Sequence, residues 1–142
     1  MERVYTTPLL DKLGIRPGMR VAIVGRLEDD DEVHDDEGPF RVRLADRTSD
    51  ITDGPPRPDT DVVLLAADST AELSALPDLR PRIRSSGAIW VVSRKGRAAT
   101  LRDVEVIAAA RAHDLIDNKV VSFSATRTAL RLVIPVALRS KV

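Results

Sequence analysis

Met19-Arg20-Val21-Ala22-Ile23-Val24-Gly25 is the stretch on which the fold turns. An apolar, β-branched run without polar alternation reads as a strand buried on both faces, the pattern of a parallel sheet with helices on either side. Gly25 ends it. Upstream, Thr7 and Pro8 start a short helix, because a Thr side chain accepts an orphan backbone N–H and Pro at the first helical position forgoes no bond. Leu9, Leu10 and Leu13 give that helix an apolar face, Gly14 stops it in a left-handed conformation, and Pro17-Gly18 turns the chain into the strand.

The same kind of run recurs at Asp61-Val62-Val63-Leu64-Leu65-Ala66 and at Ala88-Ile89-Trp90-Val91-Val92. Between these two, Ser69 and Glu72 have capping-box spacing and predict a helix from Thr70 through Leu73 and Leu76, until Pro77 and Pro81 interrupt it ahead of Ser85-Ser86-Gly87. Thr100 with Asp103 opens the strongest helix, whose apolar positions Leu101, Val104, Ile107, Ala108 and Leu115 recur at helical spacing. Lys119 to Ser124 and Ala129 to Pro135 read as two strands joined by Ala125-Thr126-Arg127-Thr128, an antiparallel hairpin. Phe40 to Leu44, with its Arg-Val-Arg alternation, reads as a short exposed edge strand. Residues 48–60 read as a linker, since their prolines and glycine sustain neither a helix nor a central strand. Alternating strands and helices imply a parallel sheet with right-handed crossovers. The expected fold class is therefore α/β: a single domain over residues 1–142 with a three-layer, Rossmann-like, mostly parallel sheet closing with an antiparallel C-terminal hairpin.

The 142 residues, 43% of them apolar, suffice for one such core. With no cysteine, disulfide scaffolds, thiolate metal sites and cysteine nucleophiles are excluded. No apolar run reaches the roughly 20 residues of a membrane span, and MERVYTTPLL lacks the apolar core of a signal peptide, so a cytoplasmic location and no membrane partner are expected. Zero net charge hides three blocks: residues 1–27 carry five bases and two acids, residues 28–78 four and sixteen, residues 79–142 thirteen and four. Nucleic acid is disfavoured as a partner, because the acidic block would repel phosphate. Overlapping the start of that block, residues 26–39 form an acidic loop expected to be mobile. Its core, Glu28 to Glu37, holds eight carboxylates and His34 but neither EF-hand spacing nor a second histidine, so no metal is expected there.

LGIRPGMRVAIVG, from Leu13 to Gly25, resembles the helix, turn and strand leading into motif I of S-adenosylmethionine-dependent methyltransferases. Together with DVVLLAADSTAEL, SSGAIWVVSRKG and DNKVVSFSATRTALRLVIPV it resembles a bacterial family known as domain of unknown function 3052. That resemblance covers most of the chain outside residues 26–60. It implies a reduced class I methyltransferase-like fold and brings no established activity. Working methyltransferases carry an acid in or after the first strand and a Gly-x-Gly turn that lets the backbone approach the cofactor. Here Ile23 stands in the acidic place and Gly25-Arg26-Leu27 has a bulky residue at the second glycine. Asp46 is the nearest candidate for a ribose ligand, and Ala67-Asp68-Ser69 replaces the signature of amino-group methylation. S-adenosylmethionine is therefore disfavoured, and no cofactor is expected.

The basic turn from Ser93 to Thr100 is the strongest candidate ligand contact. It follows a buried strand and enters a helix, so it belongs at the sheet edge where open α/β folds bind ligands. Arg94, Lys95, Gly96, Arg97 and Thr100 are the candidate anion-binding residues, and Gly25, Asp68 and Ser93 should mark the edge of a common crevice. The alternative is a solvated turn, or bases pairing with the acidic loop. Asp68, Ser69 and His113 do not make a hydrolytic triad, since the nucleophile elbow is missing, and Trp90 belongs to the core. Three functions follow in order: a non-catalytic methyltransferase-like binding or regulatory module, a divergent methyltransferase or other enzyme acting on an anionic small molecule, and a self-associating interaction subunit, hence a homo-oligomer.

Overall fold

The computed structural model describes residues 8–28 and 38–139. Six strands form one sheet in the order β2-β1-β3-β4-β6-β5. They are β1 (Val21–Val24), β2 (Ile51–Asp53), β3 (Thr60–Ala66), β4 (Ile83–Arg94), β5 (Ile116–Ser122) and β6 (Arg127–Val133). The first four run parallel, with Val21 opposite Val62 and Leu64 opposite Trp90, while β6 pairs antiparallel to both β4 and β5. The mostly parallel sheet closes with an antiparallel hairpin as the sequence implies.

Side-chain alternation explains why helices cover both faces. Ala22, Val63, Leu65, Ile89 and Val91 point to one core, which Leu73, Leu76, Leu79, Val106 and Ala110 complete. Val21, Ile23, Val62, Leu64, Trp90 and Val92 point to the other, completed by Leu10, Leu13, Phe40 and Leu44. The helices concerned are α1 (Leu9–Lys12), α2 (Phe40–Arg47), α3 (Leu76–Leu79) and α4 (Asp103–Ala112). Trp90 is fully buried, and its indole Nε1–H donates to the Leu13 carbonyl at 3.1 Å, tying β4 to the end of α1.

Several sequence expectations change. Phe40 to Leu44 is the first half of helix α2, not a strand: Phe40 and Leu44, four apart, are buried on one face, and Val42 is left 55% exposed. Asp46 consequently lies exposed on that helix and ends no strand. The stretch 48–60 contains β2, a three-residue edge strand finished before Pro55-Pro56, so the prolines never enter a ladder. Ser85-Ser86-Gly87 belongs to β4, which runs twelve residues and absorbs a register shift opposite Thr60 to Val62. A Cβ on Gly87 would stand 2.8 Å from the Asp61 carbonyl oxygen, which is why glycine sits at that bulge.

The Ser69 region is a chain of short turns, Glu72–Ala75, α3 and Arg80–Arg82, because Pro77 and Pro81 each restart it. Helix α4 begins at Asp103 with Arg102 at its N-cap position. It buries Val106 and Ala110, while Val104 is 63% exposed and Ala108 exposed, one residue-step round from the stripe the sequence implies. Of the acidic-loop expectation over residues 26–39, residues 29–37, His34 among them, lie outside the described ones. No helix among the described residues is long and apolar enough to cross a membrane.

Candidate functional site

Two groups of side chains gather at the carboxyl ends of the parallel strands, where open α/β sheets bind ligands. The first surrounds the turn after β1. Gly25 has φ +87°, and a Cβ there would approach the Ala66 Cβ at 3.1 Å and the Ala66 carbonyl oxygen at 3.3 Å. Only glycine meets both demands. Next to it the chain closes on itself. The Leu27 side chain is 6% exposed and part of the core beneath α2. Arg26 Nε donates to the Glu28 carbonyl at 3.0 Å, and the Glu28 carboxylate accepts the Phe40 N–H at 2.7 Å, bridging the turn to the start of α2.

Asp53, at the carboxyl end of β2 and opposite Ile23, is the acid that sequence reasoning missed. Doubly wound folds place a ribose-binding acid at that point, and β2 was hidden inside an apparent linker. Its carboxylate accepts from Arg41 Nη2 at 3.1 Å. A cavity of about 220 Å³ lies among Ile23, Gly25, Leu27, Phe40, Arg41 and Asp53. That is short of the roughly 300 Å³ at the low end for small-molecule sites. Buried Leu27 and the Arg41–Asp53 pair stand on two sides of this crevice.

The second group is the basic turn. Asp68, two residues past β3, accepts the Arg94 N–H at 2.8 Å on Oδ1. Its Oδ2 lies 4.0 Å from Arg94 Nε and 3.9 Å from Arg127 Nη1. Arg127 is almost fully buried and stands opposite Arg94 across the antiparallel β4–β6 pair. Sequence reasoning missed it because cross-strand register carries no local signature. Lys95 is held at both ends, its N–H donating to the Thr126 carbonyl at 3.0 Å and its ammonium to Ser122 Oγ at 2.7 Å. Gly96 takes φ +70° in the short turn Gly96–Ala98, which leaves Arg97 exposed.

Thr100 does not cap α4. Its hydroxyl donates to the Asp68 carbonyl at 2.5 Å, pinning the turn to the end of β3, and Glu105 instead accepts the Arg102 N–H at the helix start. The structure thus brings together Asp68, Arg94, Lys95 and Thr100 and adds Arg127. Ser93 is 4% exposed within β4, and Gly25 packs on Ala66 beside the other group, so these two do not join that cluster.

Solved structures with this chain trace include "Structure of a putative methyltransferase from Thermoplasma acidophilum", at TM-score 0.55 and 9% identity over 97% of this chain and 79% of that one. The fold is methyltransferase-like. A pericyclic reaction enzyme matches at TM-score 0.54 and 11% identity, and LepI in complex with SAM at 0.55 and 11%, each over 95% of this chain. The chain spans half the length of those two proteins. No family model matches the chain, and no curated protein does.

Proposed function

We propose that the protein is a non-catalytic, methyltransferase-like binding or regulatory module of the cytoplasm, related to the domain of unknown function 3052 family. One observation carries the reading: at the place where a methyltransferase opens its backbone to the cofactor, Leu27 is buried in the core and Asp53 is paired with Arg41. The sheet is kept while its usual crevice is narrowed to a cavity of about 220 Å³. The four segments that resemble the family supply β1, β3, β4 and the β5–β6 hairpin, so the resemblance and the retained sheet coincide.

The ligand class of the module is a small anion at the basic turn. Supporting this, the turn gathers Arg94, Lys95 and Arg97 at the carboxyl edge of the sheet, with Arg97 exposed and the Lys95 ammonium donating to the neutral Ser122 hydroxyl. Titration calorimetry with S-adenosylmethionine tests the non-catalytic reading. No binding heat up to millimolar cofactor is expected, and a low-micromolar affinity would replace this reading with a divergent methyltransferase.

A further inference from the structure

The opposite edge of the sheet holds a separate cavity of about 330 Å³ between the Gly14 to Met19 turn and strands β3, β4 and β6. Leu13, Val62 and Ala88 line it with small apolar patches, Arg16 and Arg131 line it with cationic side chains, and exposed Ser86 stands at its edge. The charge within it is unbalanced. Arg131 projects from β6 opposite Trp90, and among the described residues its one hydrogen bond is a long contact of 3.5 Å from Nη1 to Asn118 Oδ1. No carboxylate of the described residues forms an ion pair with Arg131 or Arg16. The Asp61 carboxylate, which also lines the space, is already engaged: Oδ2 accepts the Arg20 N–H at 2.9 Å, and Oδ1 lies 3.3 Å from Arg84 Nε.

Burial lowers the pKa of Arg131 below the ordinary guanidinium range, and the neighbouring charge of Arg139 lowers it further. Such a group has lost part of its water without gaining a counter-ion, a cost that a bound anion offsets. A planar guanidinium matches a carboxylate by two parallel N–H donors, and the apolar patches beside it suit an ion that carries a short hydrocarbon body. We infer that this cavity is a binding site for a small organic carboxylate, its head on Arg131 with Arg16 as the second cation and its body against Leu13, Val62 and Ala88. The site is independent of the cofactor crevice and of the basic turn.

The test is a titration of the ¹⁵N-labelled full chain with octanoate, followed by amide shifts, with octanol as the uncharged counterpart and sulfate as the bare anion. Octanoate should shift the amides of Val62, Ser86 and Ala88 saturably, with octanol and sulfate weaker by about tenfold or more, the worth of one charge-assisted pair. Arg131→Gln should lower octanoate affinity by a similar factor, and Ser86→Phe, which plugs the mouth from an exposed position, should do the same. Arg111→Gln, on the exposed side of α4, should leave affinity unchanged. Equal affinity for octanol, unchanged affinity in both cavity variants, or no shifts at these amides would overturn the assignment.

Discussion

Arg94 and Arg127 stand directly opposite each other across the β4–β6 pair, and one oxygen of Asp68 lies within 4.0 Å of both guanidinium groups. Two like charges in register repel, so this carboxylate holds the hairpin against the parallel part of the sheet. Asp68→Asn keeps an oxygen for the Arg94 N–H but removes the charge. Because Arg127 is buried while Asp68 and Arg94 are partly exposed, the expected loss is about 1–2 kcal/mol, between that of a surface pair and that of a buried one. Urea unfolding measures it, and an unchanged midpoint would show that Asp68 serves only as a backbone acceptor.

The same substitution bears on ligand binding. Phosphate, sulfate or a phosphorylated metabolite should raise the melting temperature of the wild type, by mass action on the folded state. Replacing Arg94, Lys95 and Arg97 together by Ala should abolish that rise, and Asp68→Asn should enlarge it by removing a competing carboxylate. A rise that persists in the triple variant places the anions elsewhere.

Two glycines with similar backbone angles separate strain from crowding. Gly18 has φ +81° with nothing within 4 Å of an added Cβ, whereas Gly25 has φ +87° and would meet Ala66 at 3.1 Å. Gly18→Ala should cost about 1–2 kcal/mol, the left-handed penalty alone. Gly25→Ala adds a core clash and should cost about 1 kcal/mol or more beyond that. Equal losses in thermal or urea unfolding would mean that Ala66 yields freely.

Buried strands were readable because an unbroken apolar run has few other folded uses, and Val21, Val62 and Trp90 take the core places such runs imply. Register was not readable. Asp53 and Arg127 acquire their roles only when β2 lies beside β1 and β6 beside β4, pairings between segments far apart in the chain. Phe40 and Phe123, scattered in sequence, likewise meet with ring centroids 4.8 Å apart. Helix α2 misled through its exposed side: Arg41, Val42 and Arg43 alternate like a strand, and the deciding signal was the four-residue step from Phe40 to Leu44. At the basic turn the residue types were legible, but the acid that organises them was assigned only to the crevice edge.

Partial burial of Arg131 without a carboxylate partner predicts that its charge weakens the fold in the absence of ligand. For a base whose folded pKa lies below its unfolded value, the charged form opposes folding at every pH below the folded pKa. Arg131→Met keeps the aliphatic bulk and removes the charge. Its melting temperature should equal or exceed that of the wild type. A marked fall would mean that Asn118 or solvent already satisfies the guanidinium.

Leu27 tests whether the cofactor crevice is closed by one residue or by its whole frame. Leu27→Gly restores a Gly-x-Gly turn in the sequence, while Leu27→Ala removes the same packing without that freedom. With Leu27 6% exposed in the core beneath α2, the alanine variant should lose about 2–4 kcal/mol and the glycine variant about 1 kcal/mol more. Neither should bind S-adenosylmethionine, because Asp53 remains paired with Arg41 and Ile23 still stands where an acid is needed. Calorimetry on the glycine variant, after urea unfolding has shown it folded, separates the cases. Binding by that variant alone would make Leu27 the sole obstruction, so that the chain carries a cofactor site intact in every other respect and its frame is still that of a methyltransferase.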